Sequence, residues 1–146
     1  YNFGYDALAS FAGALELLPI PGIQQAATLL SKGMSSASFV SAVRQNEFVT
    51  ASFAIIGLLP VVGGSVGSAL RNAEKARKAK VLPKVILTEL KKAFKKFLQS
   101  DVQYMATVTI DKLLQGSGMN TDTILPKINN AVTSYIQAIE DEEKKA

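Results

Sequence analysis

Apolar positions fill the first half of the chain in two stretches that read almost alike. Residues 9–22 are ASFAGALELLPIPG and residues 51–63 are ASFAIIGLLPVVG, about 41 positions apart. A repeat of that length points to a duplicated supersecondary unit. Each copy predicts a helix stopped at Pro19 or Pro60, because proline lacks an N–H and clashes with the preceding turn. Gly22 or Gly63 then frees the backbone for a corner before a second helix, and Pro21 suits the first turn of such a helix. Pro19, Pro21, Gly22, Pro60 and Gly63 are the expected structural corners.

The spacing of apolar residues predicts helices over about 5–18, from Gly22 to a weakening at Lys32-Gly33, and over about 36–45, 47–59 and 64–80. After Pro83 a helix over about 84–99 has an apolar stripe of Ile86, Leu90, Ala93, Phe94 and Phe97, with Lys91, Lys92, Lys95 and Lys96 on the other side. Asp101–Leu114 is expected to be helical although Tyr104–Ile110 is rich in strand formers. Gly116-Ser117-Gly118 ends it, and Thr121 or Asp122 is expected to cap a last helix over about 125–143. That helix places Ile128, Val132, Tyr135 and Ile139 on one face. The expectation is an all-α, compact multi-helix fold: two Pro/Gly-cornered apolar αα units over 1–81, then a basic amphipathic helix and a C-terminal helical pair over 82–146.

Charge sharpens this division. Residues 1–70 carry a net of −1, residues 71–96 a net of +8 and residues 97–146 a net of −3, which together give the overall +4. The central stripe includes Arg71, Lys75, Lys78, Lys84, Lys91, Lys92, Lys95 and Lys96. Such a stripe suits a protein subunit, an anionic membrane or, as a lesser expectation, nucleic acid. It equally suits docking on this chain's own acidic third. No aromatic platform is interleaved with it, and Phe94 and Phe97 are expected in the core.

Composition removes several chemistries. The 146 residues include neither Cys, His nor Trp. There is thus no disulfide framework, thiolate nucleophile, imidazole base or HExxH zinc site. A phosphate loop is also missing, since Gly63-Gly64-Ser65-Val66-Gly67 lacks the following Lys. Glu16, Glu47, Asp101 and Asp111 are scattered carboxylates and are not expected to form a catalytic pair. Gly116–Asp122 lacks the alternating acids of a calcium loop. No enzyme activity, cofactor, metal or small-molecule substrate is expected.

Phe48–Leu70 is a 23-residue run without a charge. Cut at Pro60, each piece reaches only about 18 Å against a hydrocarbon core of about 30 Å. A resting integral membrane protein is not expected, though an apolar hairpin wrapped in amphipathic helices is also the form of a membrane-inserting element. The chain opens on Tyr1 rather than Met, which suggests a piece of a longer polypeptide, and no signal-peptide pattern is visible.

The residues Leu17-Leu18-Pro19-Ile20-Pro21-Gly22-Ile23, Leu29-Leu30-Ser31-Lys32-Gly33 and Ala54–Gly63 resemble the repeated Pro-x-x-Gly helical hairpins of pre-toxin modules in bacterial polymorphic toxins. Similar segments occur in tailed-phage virion proteins. The likeness covers roughly residues 8–75. It implies a non-enzymatic helical module for structure and protein–protein interaction, virion-borne or secreted within a larger chain. The alternatives are a membrane-active, pore-forming or membrane-penetrating hairpin and a nucleic-acid contact.

Overall fold

The computed structural model describes residues 18–22, 36–59 and 83–145. Every element among them is an α-helix: α1 (Ser36–Arg44), α2 (Phe48–Leu58), α3 (Pro83–Phe97), α4 (Ser100–Leu113) and α5 (Thr121–Lys144). The predicted helices over 5–18, 22–33 and 64–80 lie outside the described residues, apart from Leu18 and Gly22. So do the corner residues Pro60 and Gly63.

Helix α2 is the innermost element. Ala51 to Ile56 are six successive buried residues, which requires neighbours all around the helix. It packs chiefly on α1 and α5. It ends at Leu58, and Leu59 is extended at φ −91° and ψ 113°. That is the backbone region a following proline imposes on its neighbour, so the helix stops where Pro60 in the sequence predicts.

Around α2 the other helices bury stripes of matching period. On α3 these are Leu87, Leu90, Ala93, Phe94 and Phe97; on α4, Val102, Ala106 and Ile110; on α5, Ile124, Ile128, Val132, Tyr135 and Ile139. All belong to one core that also takes in Leu18, Phe39, Ala42 and Val43. Phe53, Phe94 and Tyr135 meet at its centre with ring centroids 5.2–6.0 Å apart, Phe53 standing edge-on to Phe94 at 83°. Edge-to-face and tilted pairs at such distances are favourable beyond the area they bury.

Several details differ from the sequence expectation. The apolar stripe of α3 includes Leu87, whereas the Ile86 side chain lies outside the described residues. Pro83 is the first residue of α3 rather than a break before it, which its missing N–H permits. Helix α3 stops at Phe97, two residues early, with Leu98 and Gln99 donating back to Lys95 and Lys96 carbonyls. Helix α5 starts at Thr121 rather than about 125, and its cap is Asn120, whose side chain accepts from the Asp122 N–H at 3.0 Å. Pro126 therefore sits inside the helix, near its N-terminal end. The strand-forming run in α4 is helical, with the Thr107 and Thr109 hydroxyls donating back to the Gln103 and Met105 carbonyls, both at 2.9 Å. The buried stripe of Val102, Ala106 and Ile110 at spacing four overrides the local preference.

In the first half of the chain, the αα corner that the structure describes in full is one the repeat does not contain. Between α1 and α2, Asn46 is left-handed at φ 56°. The Asn46 N–H reaches the Val43 carbonyl at 3.1 Å and the Glu47 N–H the Ala42 carbonyl at 2.8 Å. This is a Schellman closure with asparagine in the place glycine usually takes. At the first Pro/Gly corner, Ile20 N–H donates to the Leu18 carbonyl at 2.9 Å around Pro19, and Gly22 follows at φ 82°. Leu18 is buried and Pro19, Pro21 and Gly22 are exposed, so the core anchors the corner and the tight backbone faces out.

Candidate functional site

The basic residues were the strongest sequence candidates, and α3 collects five of them. Lys91 and Lys95, one helical turn apart, face α5. The Lys91 ammonium donates to Glu143 at 2.5 Å, and Thr88 Oγ1 reaches the same carboxylate at 3.4 Å. Lys95 lies 3.6 Å from Glu140. As numbering rises along α3 it falls along α5, so the two helices run antiparallel with a charged seam beside their buried stripes. Lys92 is exposed and Lys96 half-buried. Lys84 is in α3 with its side chain outside the described residues, and Arg71, Lys75 and Lys78 lie outside them altogether.

The seam is electrostatically consistent. Hydrogen bonding from Lys91, more than its charge alone, holds the Glu143 carboxyl below the usual carboxylate range. Lys95 and Lys96 occupy the last turn of α3, where cations complement the helix dipole. The row thus finds partners in the acidic C-terminal third. Phe94 and Phe97 are fully buried, so neither offers a stacking face beside the lysines.

Three further polar contacts tie helices together and were not legible as motifs. The Tyr135 hydroxyl on α5 lies 2.7 Å from Ser52 Oγ on α2 and 3.1 Å from the Val49 carbonyl, which Ser52 Oγ also approaches at 2.7 Å. Burial pushes the Tyr135 phenol far above its ordinary value, against a smaller downward pull from Ser52. Gln103 on α4 and Asn129 on α5 exchange amide hydrogen bonds at 3.1 and 2.7 Å, and Gln103 Nε2 also reaches the Phe97 carbonyl at 2.8 Å. Asp111 on α4 accepts from Thr121 at the start of α5. A tyrosine inside an apolar stripe was the one available signal, since a buried phenol needs a partner.

The corner residues Pro19, Pro21 and Gly22 lie between two elements of this bundle. Pro19 and Ile20 share a shallow groove with Thr133, Gln137 and Asp141 of α5, and Pro21 and Gly22 border the start of α2. On the outer face of α4, Tyr104 is 72% and Val108 37% exposed, an apolar pair one turn apart. Among the described residues, no three His, Cys, Asp or Glu side chains gather in a metal-binding group, and no helix is long and apolar enough to cross a membrane.

Comparison of the chain with protein-family models, curated proteins and solved structures gives no match.

Proposed function

We propose that this chain is a non-enzymatic helical module for structure and protein–protein interaction within a larger phage-virion or toxin-delivery protein. The observation that supports this reading is the use of its polar side chains. Tyr135 with Ser52, Gln103 with Asn129, and Lys91 with Glu143 each join one helix to another. A bundle whose polar groups are directed to fixing its own helices serves as a scaffold, and the Tyr104–Val108 pair gives it an outward apolar contact. The test is deletion of residues 36–145 from the parent polypeptide. Assembly or delivery of the parent should be lost while any enzymatic activity elsewhere in it persists. Intact assembly after deletion would reject the module.

One observation favours a membrane-active element as the second reading. Helix α2 carries no charged residue and its Ala51–Ile56 segment is buried throughout, the arrangement of an apolar segment held in store. Dye release from anionic vesicles separates the two readings. The scaffold leaves vesicles intact at neutral and acidic pH, whereas release at either would favour insertion. For the nucleic-acid alternative, binding should appear at low salt and fall steeply as salt rises.

A further inference from the structure

Helix α2 begins without a cap. Glu47 precedes it at φ −93° and ψ 74°, and its side chain makes no capping hydrogen bond. The first helical bond is Ala51 N–H to the Glu47 carbonyl at 2.9 Å. The N–H groups of Phe48, Val49 and Thr50 have no partner among the described residues, the usual state of a first turn that no side chain serves.

Thr50 supplies an independent observation. It is only 6% exposed, and its hydroxyl has no hydrogen-bond partner among the described residues. Thr107, Thr109, Thr133 and Ser134, by contrast, all bond back to a helix carbonyl. Thr50 lines both clefts that open beside the first turn of α2. One is about 390 Å³ and bordered by Pro21, Gly22, Asn46, Glu47 and Phe48; the other is about 340 Å³ and lies against α1. Buried polar groups are nearly always paired. An unpaired buried hydroxyl beside three free amide donors, at the positive end of a helix, defines a place for a ligand acceptor.

Glu47 decides the ligand class. It is exposed and borders both clefts. A bare oxyanion would gain the amide donors and meet the Glu47 carboxylate; a bare amine would gain Glu47 and leave the donors empty. A ligand with a carboxylate and an ammonium on adjacent atoms satisfies both, and Pro21, Phe48 and Val49 offer apolar contact to a small side chain. We propose that the cleft at the start of α2 binds the zwitterionic head of a free α-amino acid. The carboxylate is held by the Phe48, Val49 and Thr50 amides and the Thr50 hydroxyl, and the ammonium by Glu47. This goes beyond the scaffold reading and does not depend on it.

The test is an NMR titration of the whole chain with L-alanine, run beside sodium acetate, methylammonium chloride and inorganic phosphate. L-Alanine should shift the Phe48, Val49 and Thr50 amide signals at a concentration roughly 10-fold below that needed for acetate or methylammonium, the ratio expected when one charged contact is removed. Thr50→Val and Glu47→Gln should each weaken binding by roughly 10-fold. Thr50→Val removes only a hydroxyl without a partner, so the fold should survive it. No shift with L-alanine, an equal shift with acetate or phosphate, or full binding by Glu47→Gln would each overturn the proposal.

Discussion

Replacing Tyr135 by Phe separates the hydroxyl from the ring at the point where α2, α3 and α5 meet. Three oxygens, those of Tyr135, Ser52 and the Val49 carbonyl, form a triangle with sides of 2.7, 2.7 and 3.1 Å. Two hydroxyl protons serve it, so only two sides are hydrogen bonds at once. Tyr135→Phe leaves the Ser52 hydroxyl donating to Val49 and strands no buried group. Its cost should be that of one net hydrogen bond, about 1 kcal/mol. Tyr135→Ala also removes the ring from Phe53 and Phe94, and should cost about 3–5 kcal/mol, as aromatic-to-alanine changes in cores do. Urea unfolding followed by circular dichroism measures both, with an unchanged slope required for the comparison. Equal losses for Phe and Ala, or no loss for Phe, would refute the geometry. Alkaline titration gives a second check. Because the folded state holds the phenolic proton above the ordinary tyrosine value, this term is fully present below about pH 10 and is lost as pH rises toward the folded value. One tyrosinate absorbance, missing in Tyr135→Phe, should therefore appear only together with loss of helical signal.

The charged seam makes a prediction of opposite sign. Glu143 is held below its ordinary value, so its contribution is present above the unfolded carboxylate range and lost as pH falls through the folded value. Lys91→Met should return the Glu143 titration, followed by carboxyl NMR, toward the ordinary range; an unmoved titration would show that Lys91 is not its partner. Gln103→Ala and Asn129→Ala, combined in a double-mutant cycle, should show a coupling of about 1 kcal/mol, and additivity would mean the reciprocal amide pair is not formed. Gly22→Val should cost about 1–3 kcal/mol because φ is 82°. Gly118→Ala, where an added Cβ meets nothing within 4 Å, should cost about 1–2 kcal/mol from the left-handed backbone alone. Thermal unfolding midpoints decide both, and wild-type values would remove the strain argument.

The helices over 36–44, 48–58, 83–97 and 100–113 were legible because apolar spacing, Pro83 and Pro60 act locally. The N-terminal end of α5 was not. Its first turn, Thr121–Ile124, has a single strong apolar residue, and the short Asn120 side chain rather than hydrophobic periodicity starts the helix. Pro126, the sixth residue of α5, removes the helical bond to the Asp122 carbonyl, a loss confined to the second turn close to the free end of the helix. The corner at Asn46 was equally hidden. Asparagine tolerates the left-handed region less plainly than glycine, and no sequence rule singles out Gln45-Asn46-Glu47 from other polar triplets. The partnership of Gln103 with Asn129 spans 26 residues, and amide pairing leaves no mark on either segment alone.

The lysine row shows why a surface is harder to read than a core. An apolar stripe has one use, since burial against other apolar groups is favourable whatever the partner. A row of lysines has several, because its partner can be phosphate, lipid, another chain or this one. The seven acids after residue 96 made an internal partner available, but only the antiparallel run of α3 against α5 brings Lys91 to Glu143 and Lys95 to Glu140. That alignment is set by the buried stripes, in which Phe94 meets Tyr135 and brings the charges into range. Exposed ion pairs are worth at most about 1 kcal/mol each, too little to choose the alignment themselves. The hydrophobic register therefore determines which lysines are neutralised, and a change that slips α3 along α5 should redistribute the charge before it unfolds the bundle.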